Sequence, residues 1–354
     1  MSPLPTDTLA HQAPPELEWC KCVCGESATT GKRIVGRDEV HGGVFHYEAC
    51  ARCGTERVAP RPGPSNIAHY YPNTYYAYAG PSQALPSWSD RLKRVVYELY
   101  YAEPAQRAQL AGWQRTLLWP VLYPLRFRTN LAFRAPRERR VFEIGAATGT
   151  DLLEFRAAGW DVTGCEPSAK ACEVAQRRGV TLQNCTAEAA VLAANRYGCV
   201  LINNVFEHLH DPVRVLAKVR EGLVEGGALV LIVPNHASWT ARTFGAAWPG
   251  YDPPRHLWGF TPQSLRALLT QAGFTVEYIA HKAPQRWCWE ASIAGTRLPG
   301  GATPLRYRLS RLLPTLALPW GALLAFFGRG DFIKVVARNP RATPLPPPAG
   351  DPVA

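Results

Sequence analysis

The middle of the chain alternates between two hydrophobic periods. Short apolar runs at 140–144, 161–165, 180–183, 197–203 and 228–233 are separated by stretches with helical spacing at 150–158, 169–178 and 213–222. In the first of these stretches Leu152, Leu153 and Phe155 point inward, and Gly179 stops the second. Apolar runs of four to seven residues suit strands buried on both faces. Strands alternating with helices therefore predict an α/β fold with a mostly parallel sheet. The rest of the chain reads as a tail over 1–18, a cysteine-bearing module over 19–59 and an aromatic, arginine-rich helical connector or lid over 60–136. The α/β domain spans 137–280, and a helix and strand over 281–338 complete it. A second Pro-rich tail covers 339–354. Pro-rich polar sequence cannot pack a core, which is why both ends are read as disordered.

The first strand runs into Gly145-Ala146-Ala147-Thr148-Gly149-Thr150. A turn of glycine and alanine lets backbone approach a ligand, and it lies at the carboxyl end of a strand, where open α/β sheets bind ligands. Glu166 ends the second strand, where a carboxylate can accept hydrogen bonds from both hydroxyls of a ribose. These features speak for an adenosine-containing ligand. An NAD fingerprint would need G-x-G-x-x-G, and Ala147 and Thr150 break it.

The chain resembles class I S-adenosylmethionine-dependent methyltransferases, nearest the UbiG-like (type 11/23) branch. The resemblance covers about 141–274 and rests on ordered blocks. These are Glu143-Ile144-Gly145-Ala146-Ala147-Thr148-Gly149, Gly164-Cys165-Glu166-Pro167-Ser168, Asn203-Asn204-Val205-Phe206-Glu207-His208-Leu209, Gly226-Gly227-Ala228-Leu229, and Pro254-Arg255-His256-Leu257 with Phe260-Thr261-Pro262. It implies a seven-stranded Rossmann-like sheet. It also implies that Glu143 and the turn of Gly145, Ala147 and Gly149 hold the methionine end of S-adenosylmethionine, and that Glu166 holds the ribose. Ala187 and Glu188 would flank the adenine, and Asn203 and Asn204 would face the cofactor. Two departures stand out: Ala147 replaces the usual middle glycine, and Gly198 replaces the aspartate that usually opens the fourth strand.

Methyl transfer from a sulfonium needs a positioned nucleophile and little else, and a hydroxyl nucleophile benefits from a base near neutral pKa. His208, His210 and His256 lie where the family builds its active-site mouth. His256, after Tyr251-Asp252-Pro253-Pro254, is the first candidate and His208 the second; Glu207-His208 could instead hold the loop.

Ten cysteines divide into a cluster (Cys20, Cys22, Cys24, Cys50, Cys53) and five scattered through apolar pattern. Cys50-Ala51-Arg52-Cys53-Gly54 resembles a zinc-ribbon knuckle. Cys24 and either Cys20 or Cys22 would complete four sulfurs, with His41 or His46 as substitutes. Clustered cysteines favour metal in a reducing compartment, and Met1–Ala10 has neither a basic start nor an apolar run, which predicts a cytoplasmic chain.

The formal net charge is +11, and eleven arginines and lysines face four acids between residues 90 and 140. Such a surface suits an anionic substrate group, a lipid head group or nucleic acid. The apolar, aromatic segments 92–127 and 312–327 read as a lid over the substrate cleft, or as faces for a membrane surface. The second is too short to span a bilayer. The expected function is methyl transfer to a small-molecule, sugar, glycan or lipid-linked acceptor, most readily at oxygen. The alternatives are an RNA methyltransferase, for which no Asn-Pro-Pro-Tyr-type motif is present, and a non-catalytic adenosine-nucleotide binder or NAD oxidoreductase.

Overall fold

The structure, a computed structural model, describes residues 16–38, 42–71, 88–100, 110–122, 130, 133, 136–283, 286–295 and 318–340. Five short strands come first: β1 (Leu17–Glu18), β2 (Thr29–Arg37), β3 (Val44–Cys50), β4 (Glu56–Val58) and β5 (Arg61–Pro62). Helices α1 (Trp88–Tyr100) and α2 (Gly112–Leu122) follow, joined by an apolar cluster that includes Val96, Leu99 and Leu122. The α/β region then runs β6 (Arg140–Ile144), α3 (Thr150–Ala157), β7 (Asp161–Cys165), α4 (Ala169–Arg177), β8 (Leu182–Gln183), β9 (Tyr197–Asn203), α5 (Pro212–Gly222) and β10 (Leu223–Pro234). After it come α6 (Trp239–Phe244), β11 (Trp258–Gly259), α7 (Pro262–Gln271), β12 (Thr275–Lys282), α8 (Arg286–Gly295), α9 (Leu318–Phe326) and β13 (Phe332–Arg338).

The central sheet has seven strands in the order β12-β13-β10-β9-β6-β7-β8. Strands β10, β9, β6, β7 and β8 are parallel; β13 runs antiparallel between β10 and β12. Strands β6, β9 and β10 are almost wholly buried, as expected of a sheet covered on both faces. Phe142, Ile144, Val200, Ile202, Leu229 and Leu231 feed one apolar layer, and Val141, Cys199, Leu201, Ala228 and Val230 feed the other. The period of two along each strand sends alternate residues to opposite faces.

The strand–helix alternation from residue 140 to 234 follows the sequence reading closely. Strand β8 is shorter than 180–183, and β10 is longer than 228–233. Strand β12 is absent from the sequence reading. It earns its place as an edge only by pairing with β13, which arrives some fifty residues later in the chain. Gly198 also finds its reason here. A Cβ at that position would lie 1.9 Å from the Glu138 carbonyl oxygen and 2.9 Å from Pro136 Cγ, so the family's usual acid has no room.

A second sheet, β11-β4-β3-β2, is antiparallel. Its last strand comes from the α/β region, so the cysteine-bearing amino-terminal segment is hydrogen-bonded into the body of the molecule. Helix α9 packs on β12, and α2 exposes Trp113, Leu117 and Trp119. Among the described residues no helix is long and apolar enough to cross a membrane. The two expected tails fall almost wholly outside the described residues, as do His41 and much of the basic 90–140 segment.

Candidate active site

The turn after β6 folds as its small residues allow. Gly145, Ala147 and Gly149 all have positive φ (71°, 44° and 73°). A Cβ on Gly145 would lie 2.4 Å from Val205 Cγ2, so glycine is required by backbone and by packing. Glu166, 5% exposed, closes the turn: its Oε2 accepts from the Ala147 N–H and its Oε1 from the Ser168 N–H, both at 2.9 Å. Burial raises its pKa, and those two amides oppose the shift. A carboxylate has about four acceptor positions, so about two remain for ligand hydroxyls.

Glu143 lies beneath the turn, 3% exposed, and its Oε2 has no hydrogen-bond partner. Burial, reinforced by Asp151, Glu154 and Glu166, holds its carboxyl well above the usual range. Asn203, at the end of β9, donates from Nδ2 to Asp151 Oδ2 at 2.6 Å, and Asn204, with φ 53°, donates to Asn203 Oδ1. Asp151, missed by the sequence reading, is thus part of the same wall; its place in the first turn of α3 was the available signal. Ala187 is buried, and the Glu188 carboxylate accepts from the His210 N–H at 3.2 Å.

This environment fits S-adenosylmethionine. An orphaned buried carboxylate oxygen among other acids favours a ligand with positive centres, and the sulfonium and ammonium provide two. The turn leaves the backbone close to the ligand, and Glu166 retains acceptor capacity for a diol.

The loop after β9 carries Glu207 and His208 and meets the loop carrying His256. The two imidazoles make an edge contact with centroids 4.6 Å apart, and His256 Nε2 lies 4.0 Å from Glu207 Oε1. His256 Nδ1 is 2.8 Å from the Gly250 carbonyl, and His208 Nδ1 is 2.9 Å from the Arg255 carbonyl. A carbonyl only accepts, so in each ring the proton sits on Nδ1 and Nε2 is bare. Tyr71 Oη is also 2.9 Å from His208 Nδ1. Burial, with help from His256, pushes His208 down to about 3, and burial lowers His256 as well. Burial pushes Glu207 up to about 8. His210 stands apart, its Nε2 3.0 Å from the Pro62 carbonyl, at the junction with β5.

Arg255 fixes the His256 loop. It pairs with Asp252 and with Asp38, and donates to the Tyr70 carbonyl. The amino-terminal sheet braces the same loop: Tyr47 Oη donates to the His256 carbonyl, and Glu56 accepts from Tyr251 Oη at 2.8 Å and pairs with His236 Nδ1 at 2.9 Å. Burial opposes ionisation of Glu56, but His236, Tyr251 and Lys32 outweigh it and lower its pKa. Glu56, His236 and Asp38 carried no signal in sequence, since their partners lie about 180 to 217 positions away.

The amino-terminal cluster brings together Cys22, Cys24, Cys50 and Cys53, whose sulfurs lie within 4.8 Å of one another. Cys22 and Cys53 are 3.5 Å apart, and Cys24 and Cys50 3.6 Å. Four sulfurs bound tetrahedrally at about 2.3 Å would lie about 3.8 Å apart, so the set fits zinc. Of the two sequence candidates for the fourth ligand, the structure brings in Cys22 and leaves Cys20 outside; His46 is not in the group either. Arg57 joins this knuckle to β4 by donating to the Glu26 and Ser27 carbonyls.

Residues 121–279 match the family described as Methyltransferase domain. An uncharacterized protein of Mycobacterium tuberculosis is 31% identical over 188 residues, which is 51% of this chain and 58% of that protein, so the chain spans little more than half of that relative. The ubiquinone biosynthesis O-methyltransferase of Cereibacter sphaeroides is 30% identical over 169 residues, 43% of this chain and 68% of that protein. A solved S-adenosylmethionine-dependent methyltransferase of Archaeoglobus fulgidus overlaps at a TM-score of 0.42 and 18% identity, over 62% of this chain and 93% of that one. The family match falls on the strands that carry the turn, Glu166 and the histidine loop, and on those grounds the chain belongs to the class I S-adenosylmethionine-dependent methyltransferases.

Proposed function

We propose that the chain transfers the methyl group of S-adenosylmethionine to a hydroxyl oxygen of a small-molecule, sugar, glycan or lipid-linked acceptor. The observation that carries the cofactor part of this reading is the buried Glu143 carboxyl, whose Oε2 has no hydrogen-bond partner, close to Asp151 and Glu166 and beneath a turn with three left-handed residues. The bound cofactor supplies an electrophilic methyl on a good leaving group. The protein's work is then to hold the two reactants in line and to exclude water. The Gly145, Ala147 and Gly149 backbone and Glu143 would hold the methionine end, Glu166 the ribose diol, Ala187 and Glu188 the adenine surroundings, and Asn203 and Asn204 the cofactor's near side. His256 first, and His208 second, would activate the acceptor through their bare Nε2 atoms. The name of the Cereibacter relative favours oxygen as the accepting atom. The exposed faces of α2 and α9 would close over the acceptor. Cys22, Cys24, Cys50 and Cys53 would hold a structural zinc.

Calorimetry with S-adenosylhomocysteine and with NAD tests the cofactor. The former should bind and the latter should not, and Glu166→Ala should weaken binding about tenfold to a hundredfold, the worth of one or two hydrogen bonds to a charged group. Undiminished affinity in that variant would remove Glu166 from the site. A methyl-label assay across lipid, nucleotide-sugar and RNA extracts identifies the acceptor class; label confined to RNA would overturn the small-molecule and glycan reading.

A further inference from the structure

The turn after β6 is held from two sides. On one side Glu166 accepts from the Ala147 N–H. On the other stands Arg178, the half-buried residue that closes α4. Its Nη1 donates to the Thr148 carbonyl oxygen at 2.8 Å and to Thr150 Oγ1 at 3.1 Å, and Thr148 Oγ1 lies 3.4 Å away. Among the described residues Arg178 makes no ion pair, so its hydrogen bonds go to the turn rather than to a carboxylate.

The end of α4 is braced in return. Arg156 of α3 donates through Nη2 to the Arg178 carbonyl at 2.9 Å and through Nη1 to the Gly179 carbonyl at 3.1 Å. Carbonyls at the end of a helix lack partners within it, and Arg156 supplies donors there. The two helices therefore exchange arginines: α3 secures the end of α4, and the end of α4 secures the turn that opens α3. Gly149 rests on the same support, since a Cβ there would meet Val180 at 3.4 Å and Ala175 at 3.5 Å.

We propose that Arg178 is a positioning residue for the amino-acid arm of S-adenosylmethionine. The assignment rests on the methyltransferase reading for the identity of the ligand. A turn with positive φ at Gly145, Ala147 and Gly149 keeps its shape only if its surroundings fix it. Glu166 fixes the peptide that ends in the Ala147 N–H. Arg178 fixes the peptide that begins with the Thr148 carbonyl. The peptide between them, joining Ala147 to Thr148, is aimed by both. With the ribose assigned to Glu166 and the methionine end to the turn, removing Arg178 releases the hold on the amino-acid arm and leaves the nucleoside's hold in place. Pre-organised backbone of this kind adds affinity by lowering the ordering cost of binding.

Calorimetry on the full chain tests this with two ligands. One is S-adenosylhomocysteine. The other is 5′-methylthioadenosine, which has the same nucleoside and no amino-acid arm. Arg178→Gln should weaken S-adenosylhomocysteine about tenfold or more, the worth of hydrogen bonds from a charged group, and should change 5′-methylthioadenosine by less than about threefold. Arg178→Lys should recover most of the lost affinity, because all three contacts come from one nitrogen and an ammonium carries three donors. Thr150→Val removes one acceptor at an exposed position and should give a smaller loss with the same selectivity. Equal losses for the two ligands, or unchanged S-adenosylhomocysteine affinity in Arg178→Gln, overturn the proposal. Should Arg178→Gln fail to fold, Thr150→Val decides alone: a loss confined to S-adenosylhomocysteine supports the proposal, and an equal loss or none overturns it. Failure of the methyltransferase reading would register separately, as wild-type protein that binds neither ligand.

Discussion

Single positions reveal where the chain departs from comfort. Ala147 holds a left-handed backbone with φ 44° in a turn whose neighbours are glycine. An L-residue there costs about 1–2 kcal/mol, and glycine would return about 0.4–1 kcal/mol of that by loosening the unfolded chain. Ala147→Gly is therefore expected to stabilise the protein by roughly 0.5–1 kcal/mol in a urea melt, and a destabilised variant would mean that the alanine methyl packs on something the turn needs. Asp331 makes a pH-dependent case. It is buried between Thr240 and Trp248, and burial pushes its pKa up to about 6, against the hydrogen bonds from those two side chains. A folded pKa above the unfolded value means that the native state holds the proton more tightly. The contribution is present in full below the unfolded value, near 4, and is lost as pH rises through about 6. Wild-type stability minus that of Asp331→Asn should fall between pH 4 and pH 6 by an amount on the order of 1–3 kcal/mol; a flat difference would show that Asp331 ionises freely in the fold. Legibility at this scale followed chain locality. Glu166 was readable because its partners, Ala147 and Ser168, sit within about twenty residues, and the turn glycines because a left-handed backbone is a local demand. Glu56 and Asp38 were not, because burial and partners so distant leave no local pattern.

Between elements, the decisive contact is the pairing of β4 with β11. It has only two residue pairs, Trp258 with Arg57 and Gly259 with Glu56. Around it Tyr47, Glu56, His236 and Tyr251 form a buried aromatic and charged cluster, with the Tyr47 and Tyr251 rings 5.0 Å apart and the His236 and Tyr251 rings 4.4 Å apart. The strand pair thus ties the cysteine-bearing segment to the loop that ends in His256. Glu56→Ala removes the acceptor for two buried donors and is expected to cost about 3 kcal/mol or more. Hydrogen exchange should rise together over 44–58 and 250–259 while β6, β7 and β9 stay protected. Faster exchange in the amino-terminal strands alone would show that the two regions open independently.

At the scale of the whole molecule, the knuckle, β4, β11 and the His256 loop form one mechanical line, with Arg57 linking the first to the second. Cys50→Ser should therefore lower the melting temperature and the zinc content together. It should raise KM for the acceptor more than it weakens S-adenosylhomocysteine, whose turn lies on β6 and β7. An equal loss at both ends would place the cysteines' influence on the fold as a whole. The amino-acid sequence by itself determined the parallel core of the sheet and the left-handed turn after β6, because hydrophobic period, glycine placement and strand-end acids are properties of neighbouring residues. It also singled out the cysteine cluster and His208 and His256 as candidates, and the structure brings four of the cysteines together and sets the two imidazoles in contact. Only the tertiary structure decided that Cys22 and not Cys20 faces the other three sulfurs, that β13 enters between β10 and β12, and that Glu207 meets the two histidines with nothing to satisfy it. Each of these depends on contacts between segments that the chain keeps far apart, and chain-closure and burial energies are settled only when the whole fold is in place.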